Sequence, residues 1–253
     1  MKVVFVGAGP GDPELLTMKA ARLLQNCRCC IYAGSLVSPQ VLALLPGDAA
    51  KWDSATMTLE QTTAVCRQAR DEEIDVVRLH SGDPAIYGAI GEQMLELDKL
   101  GIDYEVVPGV SSFQAAAAAL KTELTAPEVS QTIILTRTSG RTPLPPEQEL
   151  ERLAQTHATL CLFLSVHKIE EVAERLAPHY GAGCPVAVVY RASWPDQKIV
   201  RGTLTDIAAS LHKVKVDAGE INRTAMIIVG HALERHGGPV SLLYSHEFSH
   251  GYR

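Results

Sequence analysis

Apolar residues along the chain come in short unbroken runs, and between the runs they return at helical intervals. VVFVG (3–7), CCIYAG (29–34), DVVRLH (75–80) and YEVVPG (104–109) read as strands. PELLTMKAARLLQN (13–26), LEQTTAVCRQAR (59–70) and AIYGAIGEQMLELDKLG (85–101) have helical spacing, the last stopping on Gly101. The alanine run of SSFQAAAAAL (111–120) has high helix propensity. Strand and helix in alternation predict an α/β fold with a mostly parallel sheet covered by helices.

The segment KTELTAPEVSQ (121–131) has no period and interrupts the alternation. It reads as a linker between an N-terminal α/β domain (1–120) and a C-terminal one (132–253). Beyond it TIILTR (132–137), ATLCLFLS (158–165) and AMIIVG (225–230) read as strands, and KIEEVAERLAPHYG (168–181) and residues 205–214 as helices. CPVAVVYRASWPDQKIVRGTL (184–204) looks like two strands joined by a polar turn at Pro195-Asp196. Hairpin and crossover connections together predict a mixed second sheet.

Composition narrows the function. The 253 residues are 46% hydrophobic and 21% charged, with a net charge of −6 and a pI near 5.8. That balance, and the lack of a basic patch with interleaved aromatics, argues against nucleic acid as a partner. Met1-Lys2 lead straight into a strand, which predicts neither a secretory signal nor a membrane span. Cys27, Cys29, Cys30, Cys66, Cys161 and Cys184 sit mostly in apolar runs and read as buried thiols of a reduced, cytoplasmic protein. The CxCC cluster matches no zinc spacing, so no metal site is expected there.

The first loop, Gly7-Ala8-Gly9-Pro10-Gly11-Asp12-Pro13-Glu14, is not a dinucleotide cradle. Its third glycine comes one place early for G-x-G-x-x-G. Asp12 suits a helix N-cap, Pro13 the first helical position, and Glu14 adds a second carboxylate that would repel a pyrophosphate. The second strand ends in Tyr32-Ala33-Gly34, without the acidic residue that holds a ribose in Rossmann folds. A nicotinamide oxidoreductase is therefore disfavoured. Other strands also end in small or turn-forming residues: DVVRLH runs into Ser81-Gly82-Asp83-Pro84, and YEVVPG into Val110-Ser111-Ser112. Singly these are ordinary turns. Jointly, at the carboxyl ends of strands, they mark a ligand crevice.

The series VGAGPGDPELLTMKA, RLHSGDPAIYG, VVPGVSS, LFLS and VVYRAS resembles that of the tetrapyrrole methylase family, over nearly the whole chain to about residue 233. Members are S-adenosylmethionine-dependent enzymes, mostly of cobalamin and sirohaem synthesis. Within the family, SLVS (35–38), QTIILTR (131–137), GRTP (140–143) and WPDQKIVR (194–201) are similar to the branch that methylates C11 of precorrin-4 or cobalt-precorrin-4. The resemblance implies two α/β domains with the cofactor in the cleft between them, and a homodimer. By motif, it implies cofactor contacts at Pro10, Gly82, Asp83, Ile86, Tyr87, Ser111, Ser112, Leu164, Ala192, Thr224 and Ala225. In the branch that methylates uroporphyrinogen an Arg follows the Phe-Gly of this motif. Here the residues are Tyr87-Gly88-Ala89, which counts against that reaction.

A methyl transfer of this kind asks for alignment more than for a base, because the conjugated macrocycle supplies the nucleophilic carbon. No catalytic acid or base is assigned. Asp83 is expected to meet polar parts of the cofactor, not its sulfur. Arg137, Arg141 and Arg191 are candidates for the substrate carboxylates, with Lys168, His80 and His167 behind them. His246 and His250, spaced i,i+4 in SHEFSHGYR, read as a polar tail. The remaining alternatives are methylation at another precorrin position, the diphthamide-pathway and ribosomal-RNA methyltransferases of the same fold, and a tetrapyrrole carrier without catalysis.

Overall fold

β1 (Lys2–Gly7) is buried beyond its first residue and β4 (Val76–His80) throughout. Such strands need neighbours on both sides and helices on both faces. The computed structural model, which describes residues 1–140, 142–216, 219 and 221–234, supplies both. β2 (Cys29–Tyr32), β3 (Ala50–Asp53) and β5 (Asp103–Val107) complete a sheet of order β3-β2-β4-β1-β5. Every pairing in it is parallel. α1 (Met18–Gln25), α2 (Pro39–Leu42), α3 (Leu59–Asp71), α4 (Ile90–Lys99) and α5 (Ser112–Leu120) connect or follow the strands. Because side chains alternate along a strand, Val4 and Val6 join Leu24 and Leu79 in one apolar layer, while Val3 and Phe5 join Ile31, Cys66 and Leu97 in the other.

The second half contains β6 (Ile133–Arg137), α6 (Leu150–Ala154), β7 (Thr159–Phe163), α7 (Ile169–Tyr180), β8 (Pro185–Tyr190), β9 (Lys198–Thr203), α8 (Ile207–His212) and β10 (Ala225–Val229). Its sheet runs β6-β7-β10-β8-β9, with β6 and β7 parallel and the other pairs antiparallel. The mixed character expected from the sequence is present. Leu160, Leu162, Ile169, Leu176, Val188, Ile207 and Ile227 form its core.

The chain divides into two compact units. One is Met1–Ala115 with Arg191–Asp196, and the other is Ala116–Tyr190 with the described residues from Gln197 onward. Residues 121–131 run with the second unit. Leu124 is buried, its carbonyl accepts the Thr159 hydroxyl at 2.8 Å, and Ala126 bridges Ser130.

Several elements differ from the periodicity. The helix expected over 13–26 splits. Asp12 caps only the short turn Pro13–Leu15, the backbone extends at Leu16, and Thr17 caps α1 afresh by accepting from the Ala20 amide at 3.1 Å. The helix expected from 85 begins at Ile90, because Tyr87 and Ala89 are left-handed (φ 54° and 49°). It ends as expected, with Gly101 left-handed just past the last turn. β3 was not anticipated, since all four of its residues are exposed and carry no apolar pattern. Among the described residues no helix is long and apolar enough to cross a membrane, and the six cysteines are all buried and unpaired.

Ile227 sits on the central strand of the second sheet between Leu162 and Val188, with no exposed surface. Ile227→Ala should cost about 2–5 kcal/mol in urea unfolding, the usual range for a buried aliphatic truncation. A loss under 1 kcal/mol would mean that this core is not packed as described.

Candidate functional site

The carboxyl ends of β4, β1 and β5 lie side by side in the first sheet, and the chain beyond each turns into a loop. The three loops meet backbone to backbone. A Cβ on Gly7 would lie 2.6 Å from the Gly109 Cα and from the Gly82 carbonyl oxygen, and a Cβ on Gly109 would lie 2.2 Å from that same oxygen. No side chain fits at either position. The approach is held by hydrogen bonds: the Ala8 amide donates to the His80 carbonyl at 2.7 Å, and Gly9 and Gly82 exchange amide–carbonyl bonds of 3.2 and 2.8 Å.

Asp83 fastens two of the loops together. Its Oδ1 accepts from the Ala85 amide at 2.8 Å and its Oδ2 from the Gly109 amide at 2.9 Å. The sequence reading expects Asp83 to meet polar parts of the cofactor, and the structure gives its carboxylate this backbone task as well. After Asp83 the chain coils tightly through Ile86 and the exposed Tyr87, since a Cβ on Gly88 would meet the Pro84 carbonyl at 2.1 Å. Beyond Gly109, the buried Ser111 leads into α5, the Gln114 side chain reaches back to the Ser111 amide at 2.9 Å, and Ser112 opens the helix.

The segment Arg191–Asp196 packs on the first of these loops. Trp194 Nε1 donates to the Pro10 carbonyl at 2.8 Å, and the Asp12 amide donates to Ser193 Oγ at 3.1 Å. Pro10 and Ala192 are both buried here. Arg191 is partnered: its Nη1 meets Asp196 Oδ2 at 2.5 Å and its guanidinium stacks over the Trp194 ring, 4.8 Å from the centroid. Its charge is thus spent locally, against the expectation of a free carboxylate binder.

In the second unit, antiparallel pairing puts the end of β7 beside the start of β10, and Tyr190 at the end of β8 opposite Ala225. Leu164, Thr224 and Ala225 therefore share one edge of that sheet, together with Arg137, which pairs with Phe163 at the end of β6. Leu164 is 64% exposed although large and apolar. Arg137 donates to the carbonyls of Thr138 (3.1 Å), Thr142 (2.9 Å) and Pro143 (3.4 Å), and pairs with no carboxylate among the described residues. Lys168 donates to the Ser139 carbonyl at 3.0 Å and pairs with Glu171 at 2.9 Å, while His167 is exposed beside it. Arg141, His246 and His250 lie outside the described residues.

Thus the residues singled out from the sequence gather in two groups, one in each unit. Tyr87, Leu164, Arg191 and Thr224 all have left-handed backbones (φ 54°, 53°, 44° and 56°), a state that costs a non-glycine residue about 1–3 kcal/mol. Glu73, Lys121, Glu128 and His157 share this backbone state elsewhere in the chain, so the strain does not by itself mark the site. Trp194 and the Gly7–Gly109 contact were not assigned any role from the sequence. The tryptophan's only signal was its place in the WPDQKIVR motif, and the glycine's was a Pro-Gly dipeptide that reads as a turn.

His80 is a different case. It is 96% enclosed at the end of β4, packed on Phe5 with ring centroids 5.9 Å apart, and its Nε2 has no hydrogen-bond partner among the described residues. Burial, aided by the Arg78 guanidinium, holds its pKa down at about 3. A neutral, enclosed imidazole makes a poor carboxylate ligand and belongs to the core.

A family model described as tetrapyrrole (corrin/porphyrin) methylases matches residues 2–208. A precorrin-4 C(11)-methyltransferase of Pseudomonas aeruginosa is 52% identical, over 100% of this chain and 99% of that protein. The crystal structure of a cobalt precorrin-4 methyltransferase, described as a cobalamin biosynthetic enzyme, aligns with a TM-score of 0.87 at 44% identity, covering 92% of this chain and 96% of that one. A uroporphyrin-III C-methyl transferase from Thermus thermophilus, complexed with S-adenyl homocysteine, aligns at 0.76 with 33% identity, covering 92% and 99%.

Two outcomes follow from the geometry. Asp83→Asn turns one acceptor into a donor facing an amide, and should lower stability by about 1–3 kcal/mol in denaturant unfolding. Unchanged stability would remove Asp83 from its place as the clamp between loops. His80 should stay neutral in the folded state at pH 5, visible as a C2 proton shift that does not move between pH 8 and 5. The unfolded chain takes up that proton near pH 6.5, so His80 should make stability fall as pH drops from about 6.5 toward 3. A folded-state titration near 6.5 would contradict this.

Proposed function

Because the chain belongs to the tetrapyrrole methylase family, we propose that it methylates C11 of precorrin-4 or cobalt-precorrin-4, with S-adenosylmethionine as donor, in corrin ring synthesis. The observation that carries this reading is likeness over the full length of an enzyme named for that position. The loops around Gly7, Gly82 and Gly109 suit such a donor. They combine closely packed backbone, the small residues Ser111, Ser112 and Ala192, and an exposed aromatic at Tyr87.

When bound, S-adenosylmethionine supplies an electrophilic methyl group on a sulfonium. The chain's part is placement. Pro10, Gly82, Ile86, Tyr87, Ser111, Ser112 and Ala192 of the first unit would hold the donor, and Leu164, Thr224 and Ala225, within the second unit, are kept as donor contacts by motif alone. Asp83 would act by fixing the loop shape, with its remaining lone pairs open to donor hydroxyls. Held orientation of this kind is worth up to about 7–11 kcal/mol in well-aligned reactions. No general base is required where the macrocycle itself provides the electron pair.

The tetrapyrrole carries several carboxylates. Arg137, bonded to carbonyls and to no carboxylate among the described residues, has a charge to offer them, whereas Arg191 is paired with Asp196. Arg137 is therefore preferred over Arg191 as a substrate contact, with Arg141 retained beside it by motif. Buried, unpaired cysteines suit a cytoplasmic enzyme, and the homodimer is proposed on the motif resemblance alone.

The test is mass spectrometry of the tetrapyrrole after incubation with S-adenosylmethionine and precorrin-4, with and without cobalt. One added methyl, placed at C11 by isotope-labelled NMR, is expected. Donor binding with no transfer to either substrate would overturn the C11 assignment. Arg137→Ala should raise KM for the tetrapyrrole about tenfold with little change in donor affinity. An unchanged KM would remove Arg137 from the substrate site.

A further inference from the structure

Within the first glycine loop Asp12 Oδ1 accepts from the Glu14 amide at 2.9 Å, and residues 10 to 12 are also clamped from outside. A Cβ on Gly11 would lie 2.1 Å from Trp194 Cδ1 and 2.2 Å from its Nε1, so the indole occupies the space that any other residue at position 11 would fill. The same indole donates to the Pro10 carbonyl at 2.8 Å, and its neighbour Ser193 accepts the Asp12 amide at 3.1 Å. Three consecutive residues of the loop, 10 to 12, are thereby gripped by two consecutive residues 181 to 184 positions away in the sequence.

The grip is itself braced. The Trp194 amide donates to the Arg191 carbonyl at 2.9 Å, the Arg191 guanidinium covers the indole face, and Asp196 pairs with that guanidinium. Arg191 and Ser193 adopt left-handed backbones (φ 44° and 71°), a strained state that survives only where surrounding contacts over-determine it.

We propose that Trp194 is a positioning residue for methyl-donor binding: its indole N–H fixes the Pro10 carbonyl, and so sets the loop surface on which the donor rests. This deepens the reading of the site given above and rests on it. Trp194 acts through Pro10 and needs no contact with the reacting atoms.

Trp194→Phe keeps an aromatic ring against Gly11 and removes the donor. Calorimetric titration with S-adenosylhomocysteine should show about tenfold weaker binding, the loss typical of one buried hydrogen bond. KM for S-adenosylmethionine should rise by a similar factor, kcat at saturating donor should stay within about twofold, and the melting temperature should hardly move. Trp194→Ala, which also opens the space beside Gly11, should bind more weakly still. In a Trp52→Phe background, Trp194 is the sole tryptophan, and its emission should shift on addition of S-adenosylhomocysteine. Wild-type binding with an unchanged Kd in Trp194→Phe would overturn the positioning role and leave the donor reading intact. So would equal losses in kcat, KM and melting temperature, which mark a structural role alone. No binding of S-adenosylhomocysteine by the wild type would overturn both.

Discussion

Three strands of the first sheet can end in touching loops only because two glycines allow their backbones to meet. Gly7 and Gly109 each leave less room than a single methyl group requires, and both press on the Gly82 carbonyl. Much of the geometry at these three strand ends follows from this contact. It aligns the paired amides and carbonyls of Gly9 and Gly82, brings the Gly109 amide within reach of Asp83, and places Ser111 and Ser112 at the head of α5. An added methyl would push apart the backbone that the hydrogen bonds draw together, and no repacking of a flexible side chain could relieve it. The constraint therefore lies in the chain itself.

Charge is handled differently from shape. Asp83 is tied to backbone amides and Arg191 to Asp196 and an indole, so the two most suggestive charges of the first unit both take part in building the loops. Arg137, at the edge of the second sheet, is tied to carbonyls and to no carboxylate among the described residues. The residue type alone does not show whether a charge is free for a ligand or already engaged in the fold. What decides the role is whether the charge already has a partner within the fold.

The layered α/β plan was legible because its central strands are buried on both faces and so leave unbroken apolar runs, as in VVFVG and AMIIVG. β3 was not, because an exposed edge strand such as AKWD has no such run to show. Helix starts at Met18 and Ile90 were displaced from the periodic pattern by a threonine cap and by left-handed residues, neither of which alters hydrophobic spacing. Of the site, the loops at the strand ends could be named from motif order. The Gly7–Gly109 contact and the Trp194–Pro10 hydrogen bond join residues remote in sequence, and no local pattern encodes them.

The central claim, that the loops meeting at Gly7, Gly82 and Gly109 form the surface for the methyl donor, is tested most directly by a crystal structure of the protein with S-adenosylhomocysteine. The expected result is the ligand lying against Pro10, the loop from Gly82 to Tyr87, and Ser111 and Ser112, with the glycine contact and the Asp83 bonds unchanged. A ligand bound away from these loops, or loops that separate to admit it, would contradict the claim.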